Sequence, residues 1–217
     1  MARHKSLDVS PVRTTGGKTV GLSLTEVAQI ITQDFEERQY YVTGRLSKRI
    51  YADDCFFDAP DPDMPVRGLR KYVDAISHLF EHRSSKVDLL SIQELPNRKA
   101  VIARWRLEGT LMLPWRPSVR PYTGVTLYEL NSRGLISRHT ELWSTDVAVA
   151  FLSAVAPIDG WLSPFLKGLG IDVPAAAPPL EELLLLPTDE QCPDPAPLLK
   201  AQSEGSLTRL KAFMGLV

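Results

Sequence analysis

His139 and Glu141 are the residues of this 217-residue chain whose types and spacing could do acid–base chemistry. A histidine changes charge near neutral pH, and a carboxylate two positions away on a strand shares its face, with Cβ atoms about 6–7 Å apart. In a partly dry interior each would perturb the other's proton affinity. The competing reading puts both on a solvated face, where Arg104, Arg106 or Arg138 would pair with the carboxylate. Strand parity decides between them. Asp58, Asp61 and Asp63 suggest oxygen ligands for a hard cation, yet Pro60 and Pro62 stiffen the loop and no calcium-loop glycine follows, so a turn is expected. Cys55 and Cys192 stand far apart without metal-ligand spacing, which argues against a disulfide framework or zinc site and for a reducing compartment. Cys55 reads as a small buried hydrophobe. No metal and no cofactor are expected.

The elements that would position these groups follow from periodicity. Ser23 and Glu26 have capping-box spacing, and Val27, Ile30, Ile31 and Phe35 continue at helical intervals, so a helix starts at residue 23. Tyr40 and Tyr41, at its end, either pack a helix–helix corner or line the interior. Gly44 marks a break. Leu46, Ile50 and Tyr51 read as a short second helix stopping at Asp53 and Asp54, whose side chains would satisfy turn donors, followed by a brief strand at 55–58. Gly68 opens a third helix with Leu69, Tyr72, Val73, Ile76, Leu79 and Phe80 on one stripe, ending near His82 and Arg83. From Ser85 the period changes to two, giving strands at 87–95, 100–113, 122–130 and 135–147 in an antiparallel meander. Three N-terminal helices covering one face of a strongly curved antiparallel sheet make an α+β fold.

Composition bounds the function. With 25 Lys plus Arg against 26 Asp plus Glu, no basic surplus is left to neutralise phosphates, so nucleic-acid binding is not expected. The longest charge-free stretch after the last strand, 147–158, is too short to span about 30 Å of hydrocarbon, so no membrane span is expected. Residues 1–22 carry Arg3, Lys5, Arg13 and Lys18 against the single acid Asp8 and read as a disordered basic arm, compatible with the remnant of an organelle transit peptide. Nine of the 17 prolines fall between 157 and 197, so residues 157–217 read as a Pro-rich helical appendage to a domain at 23–156. Its short amphipathic pieces, with Trp161, Leu162, Phe165, Leu166 and Leu169 in the first, must dock on the main domain or another chain.

Tyr51-Ala-Asp-Asp54, Gly134-Leu-Ile136 and Trp143-Ser144 resemble the nuclear-transport-factor-2-like superfamily, which includes SnoaL-like cyclases and ketosteroid isomerases. Arg38-Gln-Tyr-Tyr-Val-Thr-Gly-Arg45, Leu113-Pro-Trp-Arg-Pro117 and Gly124-Val-Thr-Leu-Tyr128 are similar, more narrowly, to the plant, algal and cyanobacterial domain-of-unknown-function family 2358. The resemblance implies a conical barrel, a plastid location and a pocket more than a reaction. Isomerases use a carboxylate base with a Tyr and a protonated Asp as oxyanion donors. Here the matched positions hold Phe35, Ala59 and Thr126, so that reaction is not expected. The same resemblance turns Val101, Ala103, Trp105 and Leu107 inward with Tyr122, Gly124, Thr126, Tyr128 and Trp143. Phe35 and Ala59 join that apolar, aromatic ligand-binding wall, and Ala103, Gly124 and Thr126 leave room at its centre. The alternative is a cone plugged by Trp105 and Trp143. Ile102, Arg104, Arg106 and Glu108 point outward, where superfamily members commonly form homodimers. The expected function is a non-catalytic module binding a small apolar ligand in the cone, or a protein partner through the appendage at 183–186. A lyase or isomerase using His139 with Glu141 comes second, and a structural subunit with a filled cone third.

Overall fold

Ser23 starts the first helix as its spacing with Glu26 requires. The computed structural model describes residues 13–59 and 65–143. In helix α1 (Leu24–Glu36) the Ser23 Oγ accepts from the Glu26 N–H at 3.2 Å and the Glu26 carboxylate accepts from the Ser23 N–H at 2.8 Å, so two orphan donors of the first turn are satisfied. Its stripe of Val27, Ile30, Ile31 and Phe35 is buried against the sheet.

The second helix lies before Gly44, not after it. Helix α2 (Tyr40–Thr43) is a single turn closed by Gly44 in the left-handed region, φ 70°, where a Cβ would meet that of Ser77 at 2.8 Å. Beyond it only one 3-10 turn, Lys48–Ile50, survives of the expected helix, because Tyr51 already enters a strand. The strand set in chain order is β1 (Arg13–Thr15), β2 (Lys18–Val20), β3 (Tyr51–Asp58), β4 (Val66–Arg67), β5 (Lys86–Leu95), β6 (Ala100–Thr110), β7 (Ser118–Leu130) and β8 (Ile136–Trp143). Strand β3 pairs with β4 and β8, and its register shifts between Tyr51 and Phe56, which leaves Asp53 and Asp54 exposed at the irregularity. Paired neighbours on both sides outweigh a helical spacing of only three apolar residues.

Helix α3 (Leu69–Ile76) ends sooner than its apolar stripe suggests: Phe80 instead forms an isolated antiparallel bridge with Leu111, just beyond the end of β6. The six strands β3 to β8 form one sheet in the order β4-β3-β8-β7-β6-β5, antiparallel throughout except for the parallel pair β3–β8. Between β7 and β8 the Asn131 side chain accepts from the N–H of Arg133 and Leu135, at 2.9 and 3.1 Å, in a turn closed by Gly134 at φ 74°.

Part of the expected disordered arm is ordered. Strands β1 and β2 form a hairpin about Gly16 and Gly17, both at positive φ as a tight primed turn needs, and Lys18 is anchored on Asp53 at 2.6 Å and on the Lys48 carbonyl at 3.1 Å. The expectations for residues 1–12, the Asp61 and Asp63 turn, and everything from 144 onward, including the appendage, lie outside the described residues.

Two apolar clusters result. The larger lies between the helices and the inner face of the sheet; the second, Leu95, Ala100, Ile102, Val125 and Leu127, lies on the opposite face. No described helix is long and apolar enough to cross a membrane.

Candidate functional site

Strand β8 presents His139 and Glu141 to the inner face, 0% and 3% exposed, while Arg138 between β3 and β7 faces the other way onto Asp58 at 3.2 Å and Glu129 at 3.7 Å. The solvated-face alternative is therefore set aside: neither Arg104 nor Arg138 shares the pair's side of the sheet. His139 Nε2 lies 3.1 Å from Glu141 Oε1. Tyr72, reaching in from α3, donates its hydroxyl to the same oxygen at 3.1 Å, and Trp143 Nε1 donates to Oε2 at 3.0 Å. A carboxylate offers acceptors only, so the nitrogen facing it is the one that donates. The other ring nitrogen, Nδ1, is buried and has no hydrogen-bond partner.

Aromatic rings enclose the imidazole. The centroid of Tyr128 is 4.9 Å away, those of Phe57 and Tyr72 both 5.2 Å, Tyr51 6.3 Å, and Tyr40 and Tyr41 both 6.4 Å. The hydroxyls are linked to one another. Tyr40 bonds Tyr128 at 2.6 Å; Tyr41 bonds the Thr126 hydroxyl at 2.5 Å and stands 3.5 Å from His139 Nε2; Trp105 Nε1 donates to Thr126 at 2.8 Å. Burial pushes the phenols of Tyr40, Tyr41, Tyr51, Tyr72 and Tyr128 well above the ordinary tyrosine range, so Tyr72 remains a donor to Glu141 across all physiological pH.

The residues expected to line a pocket are mostly buried, and Phe35, Val101, Ala103, Trp105, Leu107 and Tyr122 belong to the inner cluster. Phe35, Val101, Ala103, Trp105, Leu107 and Thr126 are sealed, Ala59 and Tyr122 are buried nearer the rim, and Trp143 is half-buried beside Gly124, its partner across β7 and β8. The room expected over Gly124 is not empty. A Cβ there would run into the indole of Trp105, so the glycine makes way for that ring. Asp58, adjacent to the position of an isomerase base, turns outward to Arg138; burial raises its carboxyl above the usual range and the guanidinium works against that rise. The Cys55 thiol, pushed up to about 12 by burial, is no nucleophile. Among the described residues no three His, Cys, Asp or Glu side chains converge as metal ligands. A polar cleft of about 680 Å³ opens by Gln39, Arg83, Lys86 and Glu108, away from the His139–Glu141 pair.

Tyr72 escaped the sequence reading as a site residue, and Tyr40 and Tyr41 entered it only with lining the interior as one of two alternatives. Tyr72 sat in an apolar stripe and the pair at a helix end. The available signal was a polar-tipped aromatic on each of three inward-facing elements, since buried tyrosine hydroxyls seek partners.

Fold and site together define an α+β protein, helices packed on a mostly antiparallel sheet, with a buried His–Glu pair on its inner face. Residues 25–139, more than half of the chain, match the family described as uncharacterized conserved protein, DUF2358, and the chain belongs to that family. The chain is similar to a protein from Jannaschia sp. CCS1 described as a SnoaL-like polyketide cyclase, at 16% identity over 61% of this chain and 94% of that one, TM-score 0.47. It is also similar to one from Pseudomonas putida KT2440 described as a polyketide cyclase, at 12% identity over 62% and 99%, TM-score 0.44. A third, the NTF-2 like protein of unknown function from Burkholderia xenovorans LB400, shows 17% identity over 55% and 81%, TM-score 0.38. No curated protein matches the chain.

Proposed function

We propose that the chain binds a small, largely apolar molecule in the cone and moves a proton on it with His139, Glu141 acting as the group that orients the imidazole. The observation that carries this reading is the free nitrogen: Nε2 is held by Glu141, while Nδ1 is buried without a partner. Buried polar atoms are nearly always hydrogen-bonded, and an orphan one points to a missing partner. A carboxylate that fixes one nitrogen as donor leaves the other as a base, as in the histidine–carboxylate part of a catalytic triad. Walls of tyrosine, phenylalanine and tryptophan favour a planar apolar ligand with an acidic hydrogen aimed at Nδ1.

A second reading, binding without turnover, is supported by the completeness of the Glu141 shell, which already holds Tyr72, Trp143 and His139. Nitrobenzisoxazole separates the two. A base takes its one acidic C–H proton, the C–H electron pair forms a nitrile, and the N–O bond breaks to release a coloured phenolate. Turnover lost in His139→Gln, with quenching of tryptophan fluorescence retained, supports proton transfer. Quenching without turnover leaves the binding module. Neither signal means a filled cone and a structural role.

A further inference from the structure

Among the described residues the large apolar side chains left exposed are Leu79, Met112 and Trp115, at 38, 55 and 58%. They gather at one end of the sheet. The Met112 N–H donates to the Leu79 carbonyl at 3.0 Å, and Trp115 stands three residues further along the loop 111–117 that joins β6 to β7, between Pro114 and Arg116. That loop is pinned. The Leu111 N–H donates to the Pro117 carbonyl at 3.0 Å and the Arg116 N–H to the Leu113 carbonyl at 2.9 Å, while the Arg116 guanidinium lies 3.6 Å from Glu81. Arg116 itself sits at φ 44°, a left-handed conformation that costs an arginine energy. One exposed leucine is ordinary; three large apolar side chains at one strained, pinned loop, a tryptophan among them, mark a surface that meets something.

The charges around it indicate what. Segments 77–86 and 110–119 build this end and carry His78, His82, Arg83, Lys86 and Arg116 against the single acid Glu81, which Arg116 and the Ser84 hydroxyl, donating at 2.6 Å, already engage. The acids next along the strands, Asp88 and Glu108, stand opposite Arg106 and Lys86, and Asp88 also holds Lys86 at 2.6 Å. Arg83 and the two histidines are the surplus. Arg83 also lines, with Ser84, Ser85, Thr110 and Ser118, the polar cleft of about 680 Å³ that opens beside the loop. We propose that this end of the sheet docks on an anionic lipid surface, with Trp115, Met112 and Leu79 entering the headgroup layer and Arg83 facing lipid phosphates. Tryptophan settles at the membrane–water interface, and cationic side chains are drawn to an anionic leaflet. A stable protein interface takes about 20–30 residues a side, far more than this apolar tip offers, whereas a few interfacial side chains with a basic border suffice for a reversible bilayer contact. The contact needs no spanning helix and is independent of the chemistry proposed for His139.

Flotation of the full chain with vesicles of phosphatidylcholine, with and without phosphatidylserine, tests it. Binding to the vesicles that contain phosphatidylserine is expected, several-fold weaker on phosphatidylcholine alone and several-fold weaker at high salt. Trp115→Ser and Met112→Ser should each lower it several-fold, and Arg83→Gln should lower it on the anionic vesicles only. All three side chains are exposed, so an unchanged urea midpoint is expected of each variant, and Met112→Ser decides should Trp115→Ser not fold. Brominated acyl chains should quench tryptophan emission of the wild type and leave that of Trp115→Ser unchanged. Quenching or flotation that persists in Trp115→Ser would place the contact elsewhere and overturn the proposal, as would no binding to either vesicle. Self-association that Trp115→Ser abolishes, found in place of vesicle binding, would give the surface to a second copy and overturn it too.

Discussion

Alkaline titration tests whether the interior around His139 is as dry as its geometry requires. Five phenols, Tyr40, Tyr41, Tyr51, Tyr72 and Tyr128, are held protonated far above their ordinary range, first of all by burial. In the unfolded chain a tyrosine titrates near 10. The folded value lies above the unfolded one, so the stability these groups contribute is fully present below about pH 10 and is lost as pH rises beyond it. For one phenol that stays protonated in the folded state the loss is about 0.8 kcal/mol at pH ~10.5 and about 1.4 kcal/mol at pH ~11; for five, roughly 4 and 7 kcal/mol. Net stabilities of about 5–15 kcal/mol cannot survive much more than that. The Cys55 thiol, raised to about 12 by burial, acts in the same direction. Cooperative unfolding is therefore expected near pH ~11. Tyrosinate absorbance and far-ultraviolet circular dichroism, followed together, should change in one steep transition that releases several protons. Gradual release centred near pH ~10 with ellipticity intact would show that water and hydroxide reach the phenols, and the sealed interior would be refuted.

Replacing Glu141 with Gln turns one of the two acceptor oxygens into an NH2 donor, which then faces either Trp143 Nε1 or Tyr72 and His139 with no acceptor between them, and should cost about 2–4 kcal/mol in urea denaturation; a neutral result would mean the carboxylate is not buried among those donors. Gly124→Ala forces the Trp105 indole from its place and should cost about 1–3 kcal/mol with a shift in tryptophan emission, whereas an unchanged spectrum would place that ring elsewhere. Ser23→Ala removes half of the capping box of α1 and should cost about 1 kcal/mol, measured by the same denaturation.

The elements that could be read from the sequence were those with a strong local period. Ser23 with Glu26 announces α1, and a period of two announces β6, because each signal is carried by residues close in the chain, whereas the inward side of Val101, Ala103, Trp105 and Leu107 came from the family resemblance. The strand was read at 55–58 but its first half, 51–54, was taken for the end of a helix, because its identity as a strand depends on partners at 66–67 and 136–140, neither visible from its own residues. The hairpin at Gly16 and Gly17 was overlooked since its short arms are polar and lack alternation; a Gly-Gly pair between two extended triplets was the available sign. His139 and Glu141 were legible as a pair from spacing alone. Tyr72 was not, because its hydroxyl meets Glu141 only after α3 is laid across the sheet, a contact between residues 69 positions apart.

That dependence explains why the pair sits on β8. A strand slipped by one residue presents its other face, so a shift of β8 would send His139 and Glu141 outward and bring Arg138 and Thr140 into the aromatic cage. Strand β8 is held on both sides, with His139 opposite Phe57 on the parallel partner and opposite Tyr128 on the antiparallel one. Arg138 reinforces the same register from the other face by engaging Asp58 on β3 and Glu129 on β7. Turned inward, Arg138 would leave Asp58 and Glu129 and bury its charge among aromatic rings, which disfavours the alternative register by roughly several kcal/mol. The outward Arg138 and the inward His139 thus select one strand position together, and that position places His139 and Glu141 side by side on the inner face.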